Sequence, residues 1–175
     1  RTVTDAVYVS GTQLTSATGA FTQADVGKMI AVNGGAATTD TTGTLVTTNT
    51  SVSCTLSGAT FTEVDVGKWI SLPGAGVAGA TLYTTVAAVT SSTAFQIAIA
   101  ASTTQSTSQT VRRAAAVTGV IASVQSATAL TLTASILANT NMAAGGGLAI
   151  ATDDGPAINA ALTYLFGTTS LYFPP

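Results

Sequence analysis

The sequence predicts a mainly β protein: tandem small sandwich- or barrel-like repeat modules, then one short helix and a further strand. Three observations carry that expectation. Threonine supplies about a fifth of the 175 residues, and with valine it suits pleated, half-buried strands because a branched Cβ packs well there. The decapeptide from Phe21 to Ile30, with Thr22, Asp25, Val26, Gly27 and Lys28, returns from Phe61 to Ile70 with Thr62, Asp65, Val66, Gly67 and Lys68, so the chain repeats a small folding unit. A second pattern runs from Val86 to Ile97 and returns from Ile121 to Leu132. Its apolar residues Val86, Val89, Phe95 and Ile97 are matched by Ile121, Val124, Leu130 and Leu132. The alternation Phe95, Ile97, Ile99 has the period of two that marks a strand with one buried face.

Taken in order, these patterns divide the chain into β-modules at 1–51 and 52–110, a partial module at 111–150, and a closing segment at 151–175. Residues 52–100 read as the full unit: strand, Asp-Val-Gly-Lys turn, strand, Gly-rich loop, two more strands. Residues 12–50 carry the first box, but a loop from Gly34 to Gly43 stands where the second half would be. Residues 115–150 carry the second half with no first box. The polar, low-complexity stretch 101–110 reads as a linker or exposed loop, and the glycines before Leu148 mark another break.

Within the repeated box, Gly27 and Gly67 are expected at positive φ, which glycine adopts without steric cost. Asp25 with Lys28, and Asp65 with Lys68, are placed to pair across that turn. An anion site built on Gly-Lys needs a longer glycine-bounded loop ending in Ser or Thr, which is absent. The spacing Gly74, Gly76, Gly79 matches a dinucleotide fingerprint, yet β-branched residues follow it instead of a helix, so it reads as a loop. Further on, Ile158, Ala161, Leu162 and Leu165 share one helical face. Thr152, Asp153 and Asp154 are the expected cap of that helix, since acidic groups oppose the positive end of its dipole. Gly167 stops it, and Leu171 to Phe173 resume as a strand. Adjacent carboxylates at a helix start do not form a glycosidase pair, which needs about 5–10 Å across a sugar.

Composition excludes several chemistries. There is no histidine, which removes Ser-His-Asp and Cys-His catalysis and nearly all zinc sites, and the single Cys54 falls in an apolar alternation as a buried small residue. No catalytic residue, cofactor or metal is expected. A net charge of −2 with five cations argues against nucleic acid, and no apolar run is long enough for membrane insertion by a helix. From Arg1 onward no basic-then-apolar leader, and so no signal peptide, is visible. Only 7% of residues are charged, against about 25% in a typical soluble domain, so much of the surface is expected to be covered by self-association. Trp69, Tyr83 and Arg112 are the candidates for a glycan contact, whereas Arg112 and Arg113, adjacent on a strand, point to opposite faces.

The tail carries the most specific likeness. Thr152, Asp153, Asp154, Ala157, Ile158, Ala161 and Leu162, a short spacer, then Leu171, Tyr172, Phe173, Pro174 and Pro175 resemble the opening of the pectate-lyase-like right-handed β-helix family. Gly167 followed by threonines stands where that family has a Gly-Gly turn. The upstream repeats resemble the β-rich modules that precede such β-helices in bacteriophage tail fibres and tailspikes. The resemblance implies that the helix caps a β-helix whose first strand is Leu171 to Phe173. It also implies a homotrimeric virion structural protein, located in the phage tail. That protein would bind other tail proteins and host surface polysaccharide, with any glycan-cleaving carboxylates on later coils. The alternatives are the N-terminal part of a polysaccharide-degrading β-helix enzyme, or a carbohydrate-binding module.

Overall fold

The structure, a computed structural model, describes residues 1–142 and 146–151. The protein is mainly β, in two closed six-stranded antiparallel barrels. The expected cap at Thr152, Asp153 and Asp154, its helix and the β-helix strand lie outside the described residues.

Among the described residues twelve strands follow one another: β1 (Thr2–Tyr8), β2 (Gln13–Ser16), β3 (Met29–Val32), β4 (Thr39–Thr47), β5 (Ser53–Leu56), β6 (Trp69–Leu72), β7 (Leu82–Ser91), β8 (Ala94–Ile97), β9 (Gln105–Ala114), β10 (Val117–Ser126), β11 (Ala129–Leu132) and β12 (Gly146–Ala151). One barrel closes in the order β1-β12-β3-β10-β11-β2, the other in the order β4-β9-β6-β7-β8-β5. Both orders are the same once β1 is matched to β4, β2 to β5, β3 to β6, β10 to β7, β11 to β8 and β12 to β9. The protein is therefore one barrel inserted into another of the same design.

This nesting differs from modules at 1–51, 52–110 and 111–150. In the outer barrel β3 pairs directly with β10, Val32 opposite Val117, and the entire inner barrel occupies the connection between them. The inner barrel makes the matching hairpin, Leu72 opposite Leu82, with only the loop from Pro73 to Thr81. The box in 12–50 and the half-unit in 115–150, each incomplete alone, are two parts of one outer barrel. They meet through Gly27 N–H donating to Ile121 O at 2.9 Å and Ile121 N–H donating to Lys28 O at 3.0 Å. Gly67 and Lys68 make the same two bonds with Val86, at 2.8 and 3.0 Å. Each repeated decapeptide thus clasps the first residue of its second pattern, in sequence for one barrel and across an inserted domain for the other.

The stretch 101–110 read as a linker enters β9 at Gln105, and β9 pairs with β4 from Thr39–Arg113 to Thr47–Gln105. Threonine and serine on both strands satisfy a ribbon that is mostly solvated, so it lacks the apolar alternation by which buried strands are recognised. The loop placed from Gly34 to Gly43 likewise enters β4. Each barrel closes on its own apolar core. Leu14, Ile30, Ile121 and Leu130 are fully buried in the outer one, as are Leu45, Ile70, Phe95 and Ile97 in the inner one. In the inner core the Phe61 and Phe95 rings pack at 4.2 Å between centroids.

Candidate functional site

The charged groups concentrate at one equivalent point of each barrel. Thr22 and Thr62, both extended, lead into the one-turn 3-10 helices Gln23–Asp25 and Glu63–Asp65. Gly27 and Gly67 follow at φ +84 and +83, and their positive φ brings Lys28 and Lys68 back over the aspartate. Asp65 Oδ1 accepts from Lys68 Nζ at 2.8 Å, while Oδ2 accepts from Thr62 N–H at 3.0 Å and Arg113 Nη1 at 2.8 Å. Asp25 Oδ1 accepts from Lys28 Nζ at 2.9 Å, while Oδ2 accepts from Thr22 N–H at 3.0 Å and Arg1 Nη2 at 2.9 Å. Each guanidinium also stacks on the phenylalanine that opens its box, Arg113 at 4.4 Å from Phe61 and Arg1 at 5.4 Å from Phe21.

The arginines complete the clasps from non-equivalent strands. Arg113 lies on β9 opposite Ile70, and the outer barrel has Ile150 on β12 opposite Ile30 in that place. Arg1 instead stands beside Ile150, where the inner barrel has Thr39 beside Arg113. The charge has moved one strand sideways and still reaches the same carboxylate. Local sequence gives no sign of Arg1 or Arg113 as partners; only the pairing of distant strands does.

Burial raises the Asp25 carboxyl, but the Lys28 ammonium, the Thr22 N–H and Arg1 outweigh it and hold it at about 2. The same balance of burial against Lys68, Thr62 and Arg113 lowers Asp65. These carboxylates are fully occupied acceptors with depressed pKa values, which disqualifies them as general acids or bases near neutrality. Their linkage to folding has a definite sign. A carboxylate with a depressed folded pKa contributes fully above its unfolded value, near 4, and loses that contribution as pH falls through the folded one. The urea midpoint should stay level from neutrality to about pH 5 and decline between about pH 4 and 2. Asp65→Asn should flatten part of that decline; an unchanged profile in the variant would contradict the assignment.

The glycan candidates converge on one outward face of the inner barrel without forming an open site. Tyr83 and Arg112 both lie opposite Ser71, on its two sides. Trp69 stacks on Tyr83 at 5.8 Å. Trp69 is 0% exposed, so its indole offers no free face to a sugar, while Tyr83 is half-buried. Arg112 Nε lies 3.2 Å from Asp40 Oδ2 as an ion pair without hydrogen-bond alignment. What covers Trp69 is the outer barrel's turn at Asn33 and Gly34. A Cβ on Gly34 would stand 2.7 Å from Trp69 Cγ, so only glycine allows this approach. Asn33 Nδ2 donates to Gly67 O at 3.4 Å across the same junction.

No family model, curated protein or solved structure matches the chain.

Among the described residues no three His, Cys, Asp or Glu side chains gather as a metal set. Burial pushes the Cys54 thiol up to about 11, which leaves it neutral and unreactive. The loop holding Gly74, Gly76 and Gly79 makes one 3-10 turn, Val77–Gly79, and leads into strand β7, with no helix whose N-terminus could receive a phosphate. Among the described residues no helix is long and apolar enough to cross a membrane.

Proposed function

We propose that this chain is a virion structural segment, the N-terminal or neck part of a phage tail fibre or tailspike. Its nested barrels act as a spacer or attachment element ahead of a β-helix. The observation that supports this reading best is the use made of charge. Five basic side chains serve the whole chain, and each pairs with an aspartate of its own barrel: Arg1, Lys28, Lys68 and Arg113 on the two buried carboxylates, Arg112 with Asp40 on the outward face. Basic side chains so committed maintain shape. The likeness of residues 152–175 to a β-helix opening supplies the direction in which the spacer leads. In this reading the partners are other copies in a homotrimer, neighbouring tail proteins and host surface polysaccharide. An enzymatic role, as a polysaccharide depolymerase or lyase, would belong to coils beyond these residues.

The test is the mass in solution, by light scattering at micromolar concentration. A discrete species of three copies would support the trimeric spacer, and a monomer would count against it. A carbohydrate-binding module is the second reading, favoured by the convergence of Trp69, Tyr83 and Arg112 beside Ser71. It requires glycan binding that disappears in Tyr83→Ala while both barrels stay folded.

A further inference from the structure

The two barrels share a design but not their surroundings, and one pair of equivalent faces identifies a partner. On the inner barrel, the outward position Trp69 of β6 is sealed by the outer barrel's turn at Asn33 and Gly34. On the outer barrel the equivalent position of β3 is Met29, which is 40% exposed. Beside it, where the inner barrel has Arg112 and Asp40 over Ser71, the outer barrel has Ala149 and Thr2 over Ala31. The small side chains leave a groove of about 280 Å³ lined by Thr2, Ala31, Ala116, Leu148 and Ala149 among others, with no charged residue on its walls.

The sealing element also has its equivalent, and among the described residues it covers no second barrel. Pro73 and Gly74 follow β6 as Asn33 and Gly34 follow β3, with Gly74 at φ +77 and Gly34 at φ +81. Ala75 N–H donates to Leu72 O at 3.3 Å, as Gly35 N–H donates to Val32 O at 3.2 Å. Two residues on stands Val77, 76% exposed, an apolar side chain at the tip of a loop. Its inner side is held by its own barrel, Ser102 N–H donating to Ala75 O at 2.8 Å and Thr103 Oγ1 donating to Gly76 O at 2.7 Å; over Pro73 and Gly74 lies the Gln105 carboxamide, donating to Pro73 O at 2.8 Å, the end of a flexible side chain.

We propose that the turn from Pro73 to Val77 of one copy docks on the Met29 face of a second copy. It would repeat between molecules the contact that Gly34 and Trp69 make within one. What argues for this occupant is continuity with the contact already built into the chain: the equivalent turn, with Pro73 in place of Asn33, meets the equivalent face of the same barrel design. Turn and face sit on different barrels, so the association is heterologous and open-ended, a head-to-tail series. This is a different assembly from a closed trimer about a common axis, and it does not depend on that reading.

The experiment is sedimentation velocity of the chain from micromolar to near-millimolar concentration. Parent protein should form a concentration-dependent series with no preferred size. Met29→Lys and Val77→Lys, both at exposed positions, should each weaken association at least about tenfold, since either would bury an unpaired charge. Met29→Trp, which copies the inner barrel, should strengthen it. The decisive arm mixes the two lysine variants in equal amounts. Each retains one intact surface, so the mixture should yield a dimer and stop there. A parent that stays monomeric throughout, or a mixture that stays monomeric, overturns the proposal. So does a discrete trimer that neither variant disturbs, an outcome that would leave the trimeric spacer standing.

Discussion

Asp65→Asn should cost the inner barrel about 3 kcal/mol, the largest loss among the ion pairs of the described residues. Asp65 is 9% exposed and Arg113 7% exposed at the side chain, so the change leaves a guanidinium with no route to water and no counter-charge. Splitting a buried pair costs about 3–5 kcal/mol, and the lower end applies because Lys68, on the same carboxylate, is 31% exposed at the barrel rim. Against roughly 0.05–0.15 kcal/mol of stability per residue, that loss takes a large share of what a barrel this small possesses. The matching Asp25→Asn should cost distinctly less. Arg1 is 36% exposed and can rehydrate when its partner is gone. Urea unfolding of both variants measures the difference. Equal losses would mean that burial of Arg113 carries no special penalty.

The outer barrel also dictates a rescue. It satisfies the same aspartate with an arginine one strand over, pairing Arg1 with Ile150 where the inner barrel pairs Thr39 with Arg113. Arg113→Ile alone should destabilise by stranding Asp65 beside a single lysine. Arg113→Ile combined with Thr39→Arg should recover most of the loss, because it rebuilds the outer clasp on the inner barrel. A double variant no better than the single one would show that the two clasps are not interchangeable.

How far the sequence could be read follows from which contacts are local. The decapeptides, the glycine turns and the Asp25–Lys28 and Asp65–Lys68 pairs span a few residues each, and the local pattern locates all of them. The alternations at 95–97 and 130–132 mark β8 and β11 because inward residues there are apolar and outward ones polar. The strands β4 and β9 escape that test, since much of their length is solvated on both faces and reads as a Ser/Thr linker. The nesting escapes a reading that takes neighbours along the chain as neighbours in space, a tendency with exceptions at every inserted domain. Its trace was nevertheless present. Residues 12–50 lack a second half, residues 115–150 lack a first, and the missing parts are each other. Arg1 and Arg113 have no such trace, because their role depends on register between strands far apart in sequence.

If each barrel is a complete folding unit, the inner one can be cut out without loss to either. Thr39 and Arg113 are paired opposite each other, so the ends of the inner barrel leave side by side, as insertion into a host hairpin requires. Residues 39–114 alone keep all seven register pairs that β6 makes with β7 and β9, and the whole apolar core. Excision exposes Trp69, so Trp69→Met, the residue found in the outer barrel, is the natural companion change. The converse variant replaces residues 33–116 with the Pro73–Thr81 loop, giving β3 and β10 the short connection that β6 and β7 already use. Both proteins should unfold cooperatively in urea, with the dispersed amide spectra of folded β-barrels. The outer barrel should gain from the shorter connection, although closure entropy grows only slowly with loop length and the gain is about 1–2 kcal/mol. The buried Trp69 junction works against excision on a scale of about 3–5 kcal/mol, the usual cost of losing a packed tryptophan. That term belongs to the contact between barrels, so it should appear as a lower stability of the separated halves relative to the intact chain, not as failure to fold. An inner barrel that folds while the shortened outer one does not would mean that the outer sheet closes only when the insert holds its ends. The equivalence of the two designs would then be one of shape without independence.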